Sequence, residues 1–441
     1  MIKISLSGLA FFLGMLLGHA QESKQTEEPY KAKPLKIEEV NLVSSYYSQN
    51  GNHSAVTGGT GSERLTDNSN NFDLKLLKVL PSGNKHRISI GIGFDAYTSA
   101  SSDKIDTATN WVGFTKVVTQ QPERHGRSGA SSISSTTTVS TFGGTEAVTS
   151  ASFRDHRFYP SIGWSMESQT TGLTIGAGLS YSTEYDYHSR GATFNIAKSS
   201  KSKNTDLALN LGAFLDEWLL IYPAELRPAN YPYGGERDKH LLDHAPRNTF
   251  NTGLTFNQVI NKRLQIGLMV EPSFQKGLLA TKYQRVNFSE GSSLPENLPD
   301  KRLKLPMSFR ASYFLSDFLV IRSYYRYYQD DWKLKAHTAN LELALKVSPF
   351  TTLIPFYRYY TQNGVSYFAP NHQHSVEDQF YTSDYDLSKL SSRQFGLGVR
   401  LFPKNGVMGI HSFKELEIRW AHYERSTDLK SNIITAALTF K

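Results

Sequence analysis

The sequence predicts an all-β protein: a transmembrane, antiparallel, up-and-down β-barrel of about sixteen strands, with long extracellular loops and short periplasmic turns. Three observations support this prediction. Apolar residues recur at every second position in many short segments, and the links between these segments are alternately long and short. After the N-terminal residues, no apolar run approaches the roughly 20 residues that a membrane helix needs.

The stretch 302–328 shows the alternation most clearly. Every second residue from Leu303 to Tyr313 is apolar or amphipathic, and the residues between them are mostly polar or basic. After a short link at 315–317, the next strand carries arginines and tyrosines on one side. A soluble β-sandwich would bury its apolar face and rarely line the other with such side chains, whereas a membrane barrel turns apolar residues to lipid and polar ones to its lumen.

The composition suits a barrel and excludes several kinds of chemistry. The mean hydropathy is only −0.41, which a barrel tolerates because only alternate residues face lipid. The absence of cysteine excludes disulfides, thiolate metal sites and cysteine nucleophiles. The net charge of +8 would suit nucleic acid, but no basic cluster resembles a nucleic-acid-binding motif, so we expect no such partner.

The N-terminal residues resemble an export signal. Residues 1–20 combine a positive start at Lys3, an apolar core at 4–17 and small residues at Gly18 and Ala20, which predicts a cleaved signal peptide. Residues 21–39 are charged and lack periodicity, so we expect a short periplasmic segment there and the barrel over 40–441.

The order of the links predicts the orientation. Links after odd-numbered strands tend to be long, including the Ser/Thr-rich segment 99–150, and links after even-numbered strands are mostly short. In bacterial outer-membrane barrels this phase places both termini in the periplasm. The last strand must pair with the first, since an open edge in lipid leaves backbone groups unsatisfied. The predicted strands are 40–47, 72–80, 86–97, 153–164, 173–182, 192–197, 207–215, 249–260, 263–270, the two strands of 302–328, 336–347, 351–360, 394–402, 415–423 and 432–441.

Several blocks of the sequence resemble a family of uncharacterised bacterial outer-membrane β-barrel proteins, catalogued as a domain of unknown function (family 3570). The resemblance covers nearly the whole chain after residue 40 and implies an outer-membrane barrel with no established substrate or catalytic residues. It also implies a small lipoprotein and a flavin transferase as genomic neighbours. The blocks are SSYYSQNGNHSAVTGGTGSERLTD, STEYDYHS, VINKRLQ, RSYYRYYQDDW, IPFYRYYTQ and EDQFYTSDYDLS.

The alternation places a set of arginines, tyrosines and glutamates on the lumen side of neighbouring strands. Rings of arginine select anions in pores. The alternative is structural: the arginines pair with carboxylates such as Glu342, Glu417, Glu271 and Asp95 and brace the wall. The candidate lumen residues are Arg310, Arg322, Tyr324, Arg326, Tyr328, Glu342, Arg358, Tyr360, Arg400, Glu417 and Arg419.

Three further patterns suggest chemistry only weakly. His372, His374 and Asp378, with Glu377, Asp384 and Asp386, lie in one predicted loop and could bind a divalent metal, but a solvated polar loop explains them better, because the H-x-H spacing alone does not specify a metal site. A hydrolase could use Asp330, Asp331 and His337, but no nucleophile motif is present. Residues 146–152 faintly resemble a flavin attachment site but lack its aspartate and glycine, so we expect no cofactor.

Two functions of different classes remain open from the sequence. The first is a channel or transport pore for small polar or anionic solutes, and not an enzyme. The alternative is a non-conducting scaffold that binds a surface or periplasmic partner and is linked to a flavin-transfer or redox system. The expected partners are outer-membrane lipid, the barrel-assembly machinery and a small lipoprotein.

Overall fold

The computed structural model describes residues 34–98, 114–118, 135–139, 154–228, 231 and 242–441. The main sheet contains seventeen segments, and two of them form one strand interrupted at Glu271 and Pro272, which gives sixteen strands. They are β1 Lys36–Asn50, β2 Leu65–Val79, β3 Lys85–Thr98, β4 Arg154–Glu167, β5 Leu173–Thr183, β6 Tyr187–Ser199, β7 Thr205–Leu219, β8 His244–Val259, β9 Leu264–Val270 with Ser273–Gly277, β10 Lys301–Ser316, β11 Leu319–Asp330, β12 Lys335–Ser348, β13 Thr351–Gln362, β14 Leu390–Leu401, β15 Phe413–Arg425 and β16 Lys430–Phe440.

The sheet closes on itself. Each strand is antiparallel to the next, and β1 pairs with β16 from Val40 opposite Phe440 to Asn50 opposite Lys430. Closure satisfies the backbone groups that an open edge would leave unpaired in lipid. The predicted sixteen-stranded, antiparallel, up-and-down barrel is therefore confirmed. Separate two-stranded pairings join Phe114–Val118 to Ser135–Val139 and Arg285–Asn287 to Ser293–Pro295.

The apolar alternation of the sequence faces outward. In the β10–β11 hairpin, Phe309 pairs with Tyr325, and these two side chains are 39% and 44% exposed. Ile92, Trp164 and Ile434 are exposed in the same way on other strands. An outer wall of large apolar side chains is what a barrel presents to lipid. Among the residues placed by the structure, no helix has the length and apolar character to cross a membrane.

The links alternate as predicted. At one end, which we call the short-turn end, the links are 80–84, 168–172, 200–204, 260–263, 317–318, 349–350 and 402–412. At the other, the long-loop end, they are 51–64, 99–153, 184–186, 220–243, 278–300, 331–334, 363–389 and 426–429. Strand β1 begins at the short-turn end, and strand β16 ends there. The predicted signal peptide, residues 21–33 and the segments 99–113, 119–134 and 140–153 lie outside the described residues.

Most strands are longer than predicted, and at β1 and β9 the added residues lie where the alternation breaks. Strand β1 begins at Lys36, although residues 36–39 were predicted to lie in the N-terminal segment. The sequence does not reveal this start, because a bulge between Ile37 and Glu39 interrupts the period of two. Strand β9 resumes at Ser273 after Pro272, which has no N–H for the ladder.

Candidate functional site

The arginine-bearing face of the sheet is the lumen face. Arg419 on β15 donates to Glu342 on β12 at 3.1 Å, although β13 and β14 lie between those strands. Arg87 on β3 likewise reaches past β2 to Glu38 on β1 at 3.0 Å. Side chains can bridge non-adjacent strands of a closed barrel only on its concave side, so these residues line the interior.

Three of the six predicted arginines form an ion-paired network near the short-turn end. Arg322 lies 2.6 Å from Glu342, and Arg400 lies 2.7 Å from Glu417. Arg419 pairs with both glutamates. Glu415, which was not predicted, also contacts Arg400 at 3.1 Å. Three guanidinium groups thus meet three carboxylates, and this part of the wall is braced and electrically balanced.

The other three predicted arginines have no such neutralisation. Arg310 donates to the neutral side chain of Asn257 at 2.6 Å. Within the part of the chain that the structure describes, no carboxylate lies at ion-pair distance from Arg310, Arg326 or Arg358. Two of the carboxylates that were expected to pair with the lumen arginines lie elsewhere. Asp95 accepts a hydrogen bond from Tyr159 at 2.8 Å, and Glu271 lies at the break in β9.

Polar side chains form a girdle between this network and the long-loop end. The strand register places Arg358, Gln394, Tyr423 and Ser431 side by side on four successive strands. One step closer to the long loops, the register aligns a second row. We call the two rows the polar girdle; the second row is Arg326, Thr338, Tyr360, Ser392 and Arg425. The predicted Tyr324 lies level with the first row.

Four loops pack together at the long-loop end, and we call them the cap: 51–64, 278–300, 331–334 and 363–389. Arg285 in the second donates to the carbonyl oxygen of Val56 in the first at 2.5 Å. These two loops leave the ring eight strands apart, which is half of its circumference. Asn287 also donates to Asn371 of the fourth loop at 2.8 Å. The loops therefore meet across the mouth of the barrel.

The cap has its own buried interior. Val286 and Phe288 are fully buried, and Trp332 and Leu334 pack in an apolar cluster with Val365. The expectation of a solvated polar loop at 363–389 is therefore only partly right: Val365, His374 and Thr382 are buried, whereas the acidic residues Glu377, Asp378 and Asp386 are exposed. The few apolar residues of each loop are too scattered to form a strand pattern, and only contacts between loops distant in sequence bury them.

The predicted metal ligands His372 and His374 make polar contacts with other groups of the cap. His374 is buried, its Nδ1 lies 3.1 Å from Asp378 Oδ2, and its Nε2 lies 2.9 Å from the carbonyl oxygen of Thr382. The Nδ1 of His372 lies 3.1 Å from the carbonyl oxygen of Phe288. Across the positions that the structure places, no three His, Asp or Glu side chains are grouped to hold a metal ion.

The cap contains two buried carboxyl groups: Glu296, which the sequence did not single out, and Asp384, which was named only as a possible metal ligand. Glu296 accepts hydrogen bonds from Thr382 Oγ1 at 2.5 Å and from the backbone N–H of Thr281 at 2.7 Å. Burial raises the pKa of Glu296 to about 7. Burial, together with the charge of Asp386, raises the pKa of Asp384 to about 7. Nothing in the sequence around Glu296 distinguishes it from a solvated loop acid.

A cavity of about 460 Å³ lies against the wall formed by β13–β16 and β1, beside the cap. Its lining includes Arg358, Tyr360, Gln394 and Tyr423 of the polar girdle. Arg425 also lines it and is held by Glu63 of the first cap loop at 3.3 Å and by Asp386 of the fourth. The cavity therefore joins the unneutralised part of the girdle to the cap.

The residues considered for a hydrolase do not meet. Asp330 accepts from Arg302 at 2.6 Å and from Tyr328 at 2.8 Å on the lumen side. His337 instead contacts the hydroxyl of Tyr325 at 2.7 Å, on the outward face. Asp331 accepts the backbone N–H of Leu303 at 3.0 Å. A catalytic triad needs its members in mutual contact, which opposite faces of a sheet prevent.

Comparison with solved structures finds remote likenesses to barrels of pseudomonads. They include OccK9 (OpdG) of Pseudomonas aeruginosa, with 8% identity, a TM-score of 0.43 and coverage of 92% of this chain and 98% of that one. A BenF-like porin from Pseudomonas fluorescens Pf-5 has 10% identity, a TM-score of 0.39 and coverage of 91% and 98%. OccD3 (OpdP) of Pseudomonas aeruginosa has 6% identity, a TM-score of 0.41 and coverage of 93% and 92%.

No curated protein matches the chain. A family model matches residues 9–434, nearly the whole length, and its description is "Protein of unknown function (DUF3570)". The chain belongs to this family of proteins of unknown function.

Proposed function

We propose that this protein is an outer-membrane channel for small polar or anionic solutes, with its long loops outside the cell and both chain termini in the periplasm. The observation that carries the proposal is the contrast between the two faces of one closed sheet. Large apolar side chains are exposed outside, and arginines, glutamates and tyrosines line the inside. A sixteen-stranded barrel is wide enough for an aqueous lumen.

The anionic preference rests on the polar girdle and not on the arginine network. Arg322, Arg400 and Arg419 face as many glutamates, so that region adds little net field. Arg326 and Arg358 lie in the girdle without a carboxylate partner among the residues placed by the structure. Unneutralised arginines in a pore raise the local concentration of anions and lower their barrier to entry.

The test is ion selectivity in planar bilayers. The purified chain should conduct, and under a KCl gradient its reversal potential should shift toward that of chloride. The double variant Arg326→Gln, Arg358→Gln should lose most of this shift, because glutamine keeps a polar side chain but removes the guanidinium charge. Arg190→Gln is the matched control, since Arg190 is an exposed arginine on the outward parity of β6. A cation preference in the unmodified protein would contradict the anionic part of the proposal.

The second candidate, a non-conducting scaffold that binds a small lipoprotein, is favoured by the cap. Loops from opposite walls meet over the mouth, and such contacts can block a lumen. Under this alternative neither the unmodified chain nor a variant with a weakened cap would conduct. Copurification from native membranes would then retain a lipoprotein through the loops or the periplasmic turns. Conductance in either form of the protein would instead support the channel.

A further inference from the structure

The cavity beside the cap contains one charged group, Arg358, for which no ion pair is found among the described residues. Arg358 lines the cavity, and its side chain is exposed to it. The other three charged residues are Arg425 and the two carboxylates that hold it, Glu63 and Asp386, so this set carries one negative charge and the four charges that line the cavity sum to zero. Arg425 is deeply buried, and its Nε has no hydrogen-bond partner within the described chain. The cavity therefore presents the free guanidinium fork of Arg358 beside a fixed ion-paired wall.

Neutral polar groups surround that fork with unused hydrogen-bonding capacity. The register places Gln394 next to Arg358 on one side and next to Tyr423 on the other. Ser392 lies one step closer to the cap, opposite Tyr360. Among the placed residues, no side-chain hydrogen bond is found for Gln394, Ser392 or Tyr423. An amide, two kinds of hydroxyl and aromatic rings are thus available at one end of a cavity with the size typical of small-molecule sites.

We propose that this cavity is a binding site for a small hydroxylated carboxylate, with the carboxylate on Arg358 and the hydroxyl groups on Gln394, Ser392 and Tyr423. A guanidinium group matches a carboxylate with two parallel hydrogen bonds. Amides and hydroxyls can both donate to and accept from ligand hydroxyls. The inference rests on the proposed channel function, in which this cavity would be a binding site along the path of the solute through the barrel.

The experiment is calorimetric titration of the detergent-solubilised full chain with D-gluconate. We expect saturable binding, and Arg358→Gln should weaken it about tenfold or more, as expected for loss of a charge-assisted pair. Gln394→Ala should weaken it less. Arg190→Gln should leave it unchanged. Each variant is first required to show the heat-dependent gel mobility of the folded barrel, so that loss of binding is not loss of fold.

Two further probes define the ligand class. Sorbitol carries similar hydroxyls without a charge, and acetate carries the charge without hydroxyls, so both should bind more weakly than gluconate. The inference is overturned if gluconate does not bind, if it binds Arg358→Gln as well as the unmodified chain, or if either partial probe binds equally well.

Conductance measured in the same preparation separates this inference from the channel proposal. If the barrel conducts but does not bind gluconate, the proposed binding site is refuted and the channel proposal is not. If the barrel binds gluconate but does not conduct, the channel proposal is refuted and the proposed binding site is not.

Discussion

Arg285 and Val56 join opposite sides of the barrel mouth. The Nη1 of Arg285, in the loop between β9 and β10, donates to the carbonyl oxygen of Val56, in the loop between β1 and β2, at 2.5 Å. The same guanidinium pairs with Glu225 of a third loop at 2.5 Å. One largely buried arginine therefore holds three loops that leave the ring at different points.

Replacing this arginine should loosen the cap. In Arg285→Ala, the Val56 carbonyl and the Glu225 carboxylate both lose their donor, and we expect the cap to lose about 2 kcal/mol of local stability. The full penalty for a buried pair is not expected, because Glu225 is partly exposed. Hydrogen exchange of residues 278–300 should become faster, and the mean conductance should rise.

Arg190→Ala removes an exposed arginine from a long, 3.6 Å ion pair and should change neither measurement. If Arg285→Ala left loop exchange as slow as in the unmodified chain, Arg285 would not be holding the cap.

The cap should be more stable in acid than in alkali. Burial raises the pKa of Glu296 from its ordinary value of 4.5 to about 7, so the folded cap binds a proton more tightly than the unfolded loop does. Protonated Glu296 makes its full contribution to the stability of the cap below about pH 4.5. As the pH rises to about 7, the cap loses on the order of 3 kcal/mol of this stability. Lys282 offsets part of the cost, while Asp384, which shares the raised pKa, acts in the same direction.

The measurement is hydrogen exchange of the loops 278–300 and 363–389 at pH 5 and pH 8, corrected for intrinsic exchange rates. Glu296→Gln should reduce the pH dependence, because an amide can accept from Thr281 and donate to Thr382 without ionising. Glu290→Gln, a change at an exposed acid of the same loop, is the control. A cap that protects these loops better at pH 8 than at pH 5 would refute the assignment.

The barrel could be predicted from the sequence because it depends on a local pattern. Phe309, Tyr313 and Leu303 face outward simply because they lie at alternate positions of one strand. The pattern failed where the backbone departs from it, at the bulge after Ile37. It also failed at the Pro272 break.

The cap could not be predicted in this way. Phe288 is fully buried by residues from loops far away in the sequence, and no periodicity records such contacts. The same limit applies to the arginines of the lumen. Their face follows from alternation, but whether a carboxylate neutralises Arg322 or leaves Arg358 free depends on register between strands, which the sequence alone did not define.

Neutralising Glu342 should make the lumen more selective for anions. This glutamate accepts from both Arg322 and Arg419, so Glu342→Gln leaves two guanidinium groups with one carboxylate fewer. The reversal potential should shift further toward that of chloride, which is opposite to the effect of removing Arg326 and Arg358. Stability should fall by about 1 kcal/mol, since both arginines are partly exposed to solvent in the lumen.

Glu290→Gln again serves as the control because it removes the same charge from an exposed loop. An unchanged reversal potential in Glu342→Gln would mean that the network does not contribute to the field along the ion path.

Placing a charge on the outer wall should test the membrane directly. Ile92 is 41% exposed near the middle of β3, on the face assigned to lipid. Ile92→Arg should cost about 2–4 kcal/mol of folding free energy in lipid vesicles, because arginine loses its hydration near the bilayer midplane. Ser89→Arg puts the same side chain on the lumen side of the same strand, where water is available, and should cost little. Equal costs for the two variants, measured by denaturant titration in vesicles, would show that lipid does not contact the Ile92 face.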